Sequence, residues 1–212
     1  MAGIVAAAAA LHTGTRMQAR DAGDGETDEA LMLAWRAGDA RAFDRLYERH
    51  RGGVFRYLLR HCHDRATAEE LHQDVWLKLI AARASFDPSA RFGTWLYAVA
   101  RNRMIDHWRR HSGQRFVSLD DDSTVGQLEE LLEDSRGSGN PQSAASALQE
   151  GALLVAALEE LPGAQRDAFL LHVEGGLAVA EISTLTAVPA ETVKSRLRYA
   201  YRRLRASLGD QA

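Results

Sequence analysis

A chain of 212 residues, 46% hydrophobic and 26% charged, with a formal net charge of -3, suits one or two modest globular domains. Its single cysteine, Cys62, excludes an internal disulfide framework and a cysteine-only zinc site, which fits a reducing cytoplasm. No apolar run is long enough to span a bilayer, so membrane insertion is not expected.

The opening "MAGIVAAAAALHTGT" imitates a signal-peptide core, but no Lys or Arg precedes its apolar stretch. It reads as a loose tail over residues 1–27, within which Met17 offers a second start. From Asp28 the pattern is helical, and Pro88, Pro141, Pro162 and Pro189 fall where breaks are wanted. The helix from Asp39 onward, "DARAFDRLYERHRGGVFRYLLR", is amphipathic, with Phe43, Leu46 and Tyr47 as candidate core. In "ATAEELHQDVWLKLIAA", Ala68, Leu71, Val75 and Leu79 share a buried face. Glu69, Gln73, Trp76 and Ile80 lie on its other side, either docking a partner protein or adding packing inside the same domain.

"RFGTWLYAVARNRMIDHWRR", from Arg91 to Arg110, is the most informative stretch. Phe92, Trp95, Leu96 and Val99 share one arc and should face a core. Tyr97, Arg101, Met104 and Trp108 follow one another on the far side, alternating aromatic and cationic groups. Aromatic rings on a basic surface suit unpaired bases, at about 1–3 kcal/mol per stacked base. In a small bundle the rings of Tyr97 and Trp108 could equally pack against neighbouring helices. Arg101, Arg103, Arg109 and Arg110, against Asp106 alone, keep the face cationic.

The stretch from Ser118 to Ser146 is Gly/Ser-rich and acidic, with Asp120, Asp121, Asp122, Glu129, Glu130, Glu133 and Asp134 against Arg136. That is a linker signature. A second helical block runs from about Gln149 to Leu208. Within it, Val179, Ile182 and Leu185 turn inward on a short helix, "AVPA" turns the chain, and Pro189 opens the last helix. There Val193, Leu197, Ala200 and Leu204 form one narrow apolar stripe, while Glu191, Ser195, Arg198, Arg202 and Arg205 occupy the opposite face. Short polar groups near the N-terminus and guanidinium groups beyond suit a helix in a DNA major groove. The plainer reading is a solvated arginine-rich helix, which the helix-turn-helix context disfavours.

Four segments, "FDRLYERHRGGVFRYLLR", "ATAEELHQDVWLKL", "FGTWLYAVARNRMIDHWRR" and "LPGAQRDAFLLHVEGGLAVAEISTLTAVPAETVKSRLRYAYRRLR", resemble in order the bacterial sigma-70 family, in its extracytoplasmic-function (ECF) subgroup. The resemblance implies an all-α fold of two small helical domains. These are a region 2 bundle over 28–113 and a region 4 helix-turn-helix over 149–208, joined by an acidic linker over 114–148 and followed by a short tail over 209–212. It also implies a transcription initiation factor, not an enzyme, that binds the β′ clamp and β flap of core RNA polymerase and both duplex and single-stranded promoter DNA. An anti-sigma factor is the further partner so implied.

By the same resemblance, Glu69, Glu70, Gln73, Asp74 and Trp76 would dock the polymerase clamp. Phe86 and Arg91, in the loop from Ser85 to Arg91, would help capture an extruded minus-ten base. Tyr97, Arg101, Asn102, Asp106, Trp108, Arg109 and Arg110 would meet the rest of that element. Glu191, Thr192, Lys194, Ser195, Arg198 and Arg202 would read or clamp the minus-thirty-five element. Two departures stand out: Ala187 where the family's turn often has Gly, and residues 1–27, which have no counterpart.

Two other readings compete. A helix-turn-helix regulator binding an operator without polymerase needs no aromatic-basic surface for single strands. A metal enzyme around "HCHD", with His61, Cys62, His63 and His72 as ligands, lacks any recognisable motif for a general base. No cofactor or resident metal is expected.

Overall fold

The computed structural model describes residues 26–62, 64–111, 151 and 153–209. The expected tail lies outside these residues apart from Glu26 and Thr27, as do the linker, His63 and residues 210–212.

Four helices build the first half: α1 (Asp28–Arg36), α2 (Ala40–Cys62), α3 (Arg65–Ala81) and α4 (Phe92–His111). Each start has a local cause. The Thr27 side chain accepts from the Ala30 amide at 3.2 Å, and Asp28 and Glu29 follow in the first turn, where the helix dipole favours acids. Asp64 Oδ2 accepts from the Thr67 amide at 2.7 Å and caps α3. The Phe92 amide, at the head of α4, donates to Glu29 Oε1 at 2.9 Å, so a side chain of α1 satisfies a donor that α4 cannot. Between α1 and α2 the chain turns through Gly38 at φ 109, a conformation that glycine alone adopts cheaply.

The inward faces match the periodicity. Ala68, Leu71, Val75 and Leu79 of α3 are buried, as are Leu46, Val54, Tyr57 and Leu58 of α2 and Phe92, Leu96, Ala100 and Met104 of α4. Each large apolar side chain taken fully out of water contributes about 1.5–3 kcal/mol. Phe43, Tyr47, Trp95 and Val99 are partly buried against this core.

The second half holds α5 (153–159), α6 (Gly163–Val173), α7 (Val179–Thr186) and α8 (Ala190–Gly209). Arg166 gathers the carbonyls ending α5, donating to Leu158 O at 2.9 Å, Glu159 O at 2.6 Å and Leu161 O at 3.1 Å. Both α6 and α7 lie against α8, whose Val193, Leu197, Ala200 and Leu204 are buried. The two halves also meet, α6 against α2 and α7 against α4. One apolar cluster therefore runs from Leu31 to Leu204. Among the described residues no strand occurs, in keeping with the all-α expectation.

Candidate nucleic-acid interface

The last helix presents its charge as the sequence implies. Glu191, Lys194, Arg198, Tyr199, Arg202 and Arg205 are exposed, and Thr192 and Ser195 are half-buried. Lys194 Nζ bonds Glu191 Oε1 at 2.7 Å, and Ser195 Oγ donates to the Glu191 carbonyl at 2.9 Å. The guanidinium groups of Arg198 and Arg202 lie 5.2 and 4.8 Å from the Tyr199 ring centroid, within the range of a cation–π contact. Ahead of this helix Ala187 adopts φ 57 and ψ 35, ending α7 in the left-handed conformation that glycine usually supplies. Ser183 Oγ donates to Val188 O at 2.7 Å and fastens the turn.

The first half departs from expectation at several positions. Tyr97 is 2% exposed, its ring edge-on to Tyr57 at 5.4 Å and its hydroxyl donating to Glu174 O at 2.8 Å. Met104 is buried too. Trp108 is half-buried, 6.1 Å from the His61 ring. The expected stacking stripe is thus packing in this arrangement: Tyr97 and Arg101 bond to Glu174 and Asp167 of the second half, and Trp108 lies against His61 of α2. Phe86 is buried between Phe92 and Trp95, and its carbonyl accepts from Arg36 Nη1 at 3.0 Å. Asn102, Asp106, Arg109 and Arg110 remain exposed at the far end of α4, with Arg110 Nε donating to Asp106 O at 3.2 Å.

On α3, Glu69, Glu70 and Gln73 face solvent, Glu69 bonded to Arg65 at 2.9 Å. Asp74 is half-buried and paired with Arg103. Trp76 is 5% exposed, edge-on to Tyr47 at 4.8 Å with Nε1 donating to His72 Nε2 at 3.0 Å, so it belongs to the core rather than the docking face. In its place the surface offers Leu77, 64% exposed, and Ile80. The signal was present in "VWLKLI", which is apolar on every side of its helix.

The sequence reading missed two carboxylates altogether. Asp167 on α6 accepts from Tyr57 Oη at 2.8 Å and Arg101 Nε at 2.9 Å, with His61 Nε2 3.6 Å away. Glu174, just past α6, accepts from Arg56 Nε at 3.0 Å and also pairs with Arg60. Both side chains are almost wholly buried, as an ionised pair can be only when met by cations and donors. Burial foremost, then the neighbouring carboxylates, pushes the Tyr57 and Tyr97 hydroxyls well above the usual tyrosine range, so both stay donors. Further out, Glu181 accepts from Arg91 Nη1 at 2.9 Å, from Thr94 Oγ1, and from the Ala178 amide at 2.8 Å. Burial alone would raise the Glu181 carboxyl, but these bonds outweigh it and hold it below the usual range.

No group of three or more His, Cys, Asp or Glu side chains among the described residues could hold a metal. His61 faces Asp167 inside the fold, whereas His72 turns to Trp76 on α3.

A basic helix after a tight turn and a cationic α4 lie in the order expected of an initiation factor, and comparison with known proteins decides the matter. Residues 46–114 match the family model for sigma-70 region 2, and residues 152–204 match that for sigma-70 region 4. The chain is 30% identical over 196 residues to the ECF RNA polymerase sigma factor BldN of Streptomyces coelicolor, covering 91% of this chain and 71% of that protein. It is 32% identical over 178 residues to the ECF RNA polymerase sigma factor RpoE of Cereibacter sphaeroides, covering 83% and 92%.

The chain belongs to the sigma-70 family, in its ECF subgroup. It is a sigma factor, and the operator-binding alternative is set aside. The fold is shared with CnrH, solved in complex with the cytosolic domain of CnrY, at a TM-score of 0.59 and 19% identity over 87% of this chain and 99% of that one. It is shared also with RpoE of Bartonella quintana, solved with the anti-sigma factor NepR, at 0.56 and 21% over 80% and 98%. No described helix of this sigma factor is long and apolar enough to cross a membrane.

Proposed function

We propose that the chain is the dissociable, non-catalytic initiation subunit of a bacterial RNA polymerase, acting in the cytoplasm through residues 28–113 and 149–208 joined by 114–148. The observation that carries the reading is the exposed cationic face of α8, seated on a buried apolar stripe in a chain that matches both sigma regions. Thr192, Lys194, Ser195, Arg198 and Arg202 meet the minus-thirty-five duplex, the later cations against phosphates. Arg91, Tyr97, Arg101, Asn102, Arg109 and Arg110 hold the minus-ten element once its strands part. Base capture then offsets the stacking lost on melting.

Core polymerase docks on α3 through Glu69, Glu70, Gln73 and the apolar Leu77 and Ile80. An anti-sigma factor is the natural antagonist, as NepR is named for the Bartonella relative. Run-off transcription with purified core enzyme on a promoter library tests the whole reading. Transcripts should start at defined sites only when the chain is added, and equal output without it refutes the proposal.

A further inference from the structure

The loop that leads from α3 into α4 is held at both ends by one helix. Arg36 Nη1 donates to the Phe86 carbonyl at 3.0 Å, and Glu29 Oε1 accepts from the Phe92 amide at 2.9 Å. Both side chains belong to α1, where a separation of two turns puts them on one face, about 10 Å apart along its axis. Just ahead of Phe86, the 3-10 turn Arg83–Ser85 leans on the same helix, with the Arg83 guanidinium 5.9 Å from the centroid of the Trp35 ring.

Inside that frame, Phe86 is buried and Arg91 pairs with Glu181, whereas Asp87, Pro88 and Ser89 are exposed. The tip closes on itself. Asp87 Oδ1 accepts from the Ser89 amide at 2.9 Å and from Ser89 Oγ at 2.8 Å, and the Asp87 carbonyl accepts from the Ala90 amide at 3.0 Å. Such a turn sets its own shape, while its direction comes from the two ends that carry it. Helix α1 lies ahead of the stretch, 46–114, that matches sigma-70 region 2. The loop belongs to that stretch and its brace does not.

We propose that Glu29 and Arg36 are positioning residues for minus-ten base capture: α1 holds the loop from Ser85 to Arg91 in one geometry, and that geometry sets which extruded base is accepted. The inference rests on the assignment of this loop to the minus-ten element. Neither residue touches the base itself. A loop already ordered loses less entropy on capturing a base. A fixed set of polar groups also leaves a wrong base with unmet partners, where a pliant loop would adjust to it. Loss of either brace therefore relaxes base preference and does not merely lower output.

Two barcoded template libraries test this with the full chain and purified core polymerase. Both are built on a start site found by run-off selection, one randomised over the minus-ten element and the other over the minus-thirty-five element. Sequencing the transcripts gives the preference at each position. Arg36→Ala and Glu29→Ala each put a strong helix former on α1, so circular dichroism should show the fold kept. Each should cut the preference for the best minus-ten base about tenfold at one or more positions, with minus-thirty-five preference unmoved. Arg36→Lys, which keeps a donor, and Glu29→Gln, which keeps an acceptor, should restore most of it.

Folded alanine variants with intact minus-ten preference, or with output lowered alike on every template, overturn the proposal. Loss of helicity in both shows a brace of the fold alone and overturns it as well; if one unfolds, the other decides. Asp87→Ala with Ser89→Ala breaks the tip and separates two failures. If it shifts minus-ten preference and the α1 variants do not, only the brace falls. If none of them shifts it, the assignment of the loop falls too.

Discussion

Ala187 holds a backbone conformation, φ 57 and ψ 35, that costs an L-residue about 1–2 kcal/mol relative to the right-handed region. Glycine would remove that strain while losing more entropy on folding, an offset of about 0.4–1 kcal/mol. Ala187→Gly should therefore stabilise by about 0.5–1 kcal/mol and raise Tm by a few degrees in a thermal melt, without altering duplex affinity. Cys62 makes a second prediction at this scale. Burial pushes its thiol up to about 12, with Asp64 adding to the shift. At pH 8 the group is then almost wholly protonated, and only the thiolate attacks alkylating reagents. Iodoacetamide should label the native protein far more slowly than the urea-unfolded chain, with native labelling accelerating only toward pH 12.

Among the elements, α3 and α8 show what periodicity reveals and what it hides. The α8 stripe was legible in full, because a helix with a polar far side and a single apolar seam can lie only one way. The surface chemistry of α3 was not, since apolar residues surround it and only the neighbours decide which are covered. Tyr47 and His72 cover Trp76, and nothing described covers Leu77 to the same degree. Trp76→Ala should cost about 3–5 kcal/mol of stability, as loss of a large buried ring does. Leu77→Ala should leave the melt within about 0.5 kcal/mol of the parent. It should nevertheless weaken core polymerase binding about tenfold by surface plasmon resonance, a loss of about 1.4 kcal/mol. On α8, Arg198→Ala should reduce promoter discrimination by about 1–3 kcal/mol if its guanidinium reads a base, and flatten the salt slope by about one unit if it meets a phosphate. Competition binding over a salt series distinguishes these outcomes, and no change in either removes Arg198 from the interface.

For the molecule as a whole, the apolar cluster passes without a break from the first bundle into the second. Heat should unfold the parent in one calorimetric transition with equal calorimetric and van't Hoff enthalpies. Asp167→Asn with Glu174→Gln should divide that transition in two. The helical class, the order of segments and the exposed cationic side of α8 were readable from the chain. The seam between the two halves was not, because Asp167 and Glu174 sit in α6 and its following loop like ordinary surface acids, and their partners lie far away in sequence. Tyr97 misled for the same reason: on its own helix it faces outward, and only a distant segment buries it.

The separation of Arg56 from Glu174, 118 residues, also sets an order of events during synthesis. Translation at about 5–20 residues per second leaves on the order of ten seconds between the emergence of the two. From the emergence of residue 111 until that of Glu174, the first bundle is complete while Arg56 and Arg60 still lack the carboxylate that meets them in the folded chain. The seam between the two halves can therefore close only late in synthesis, after the first bundle is already complete.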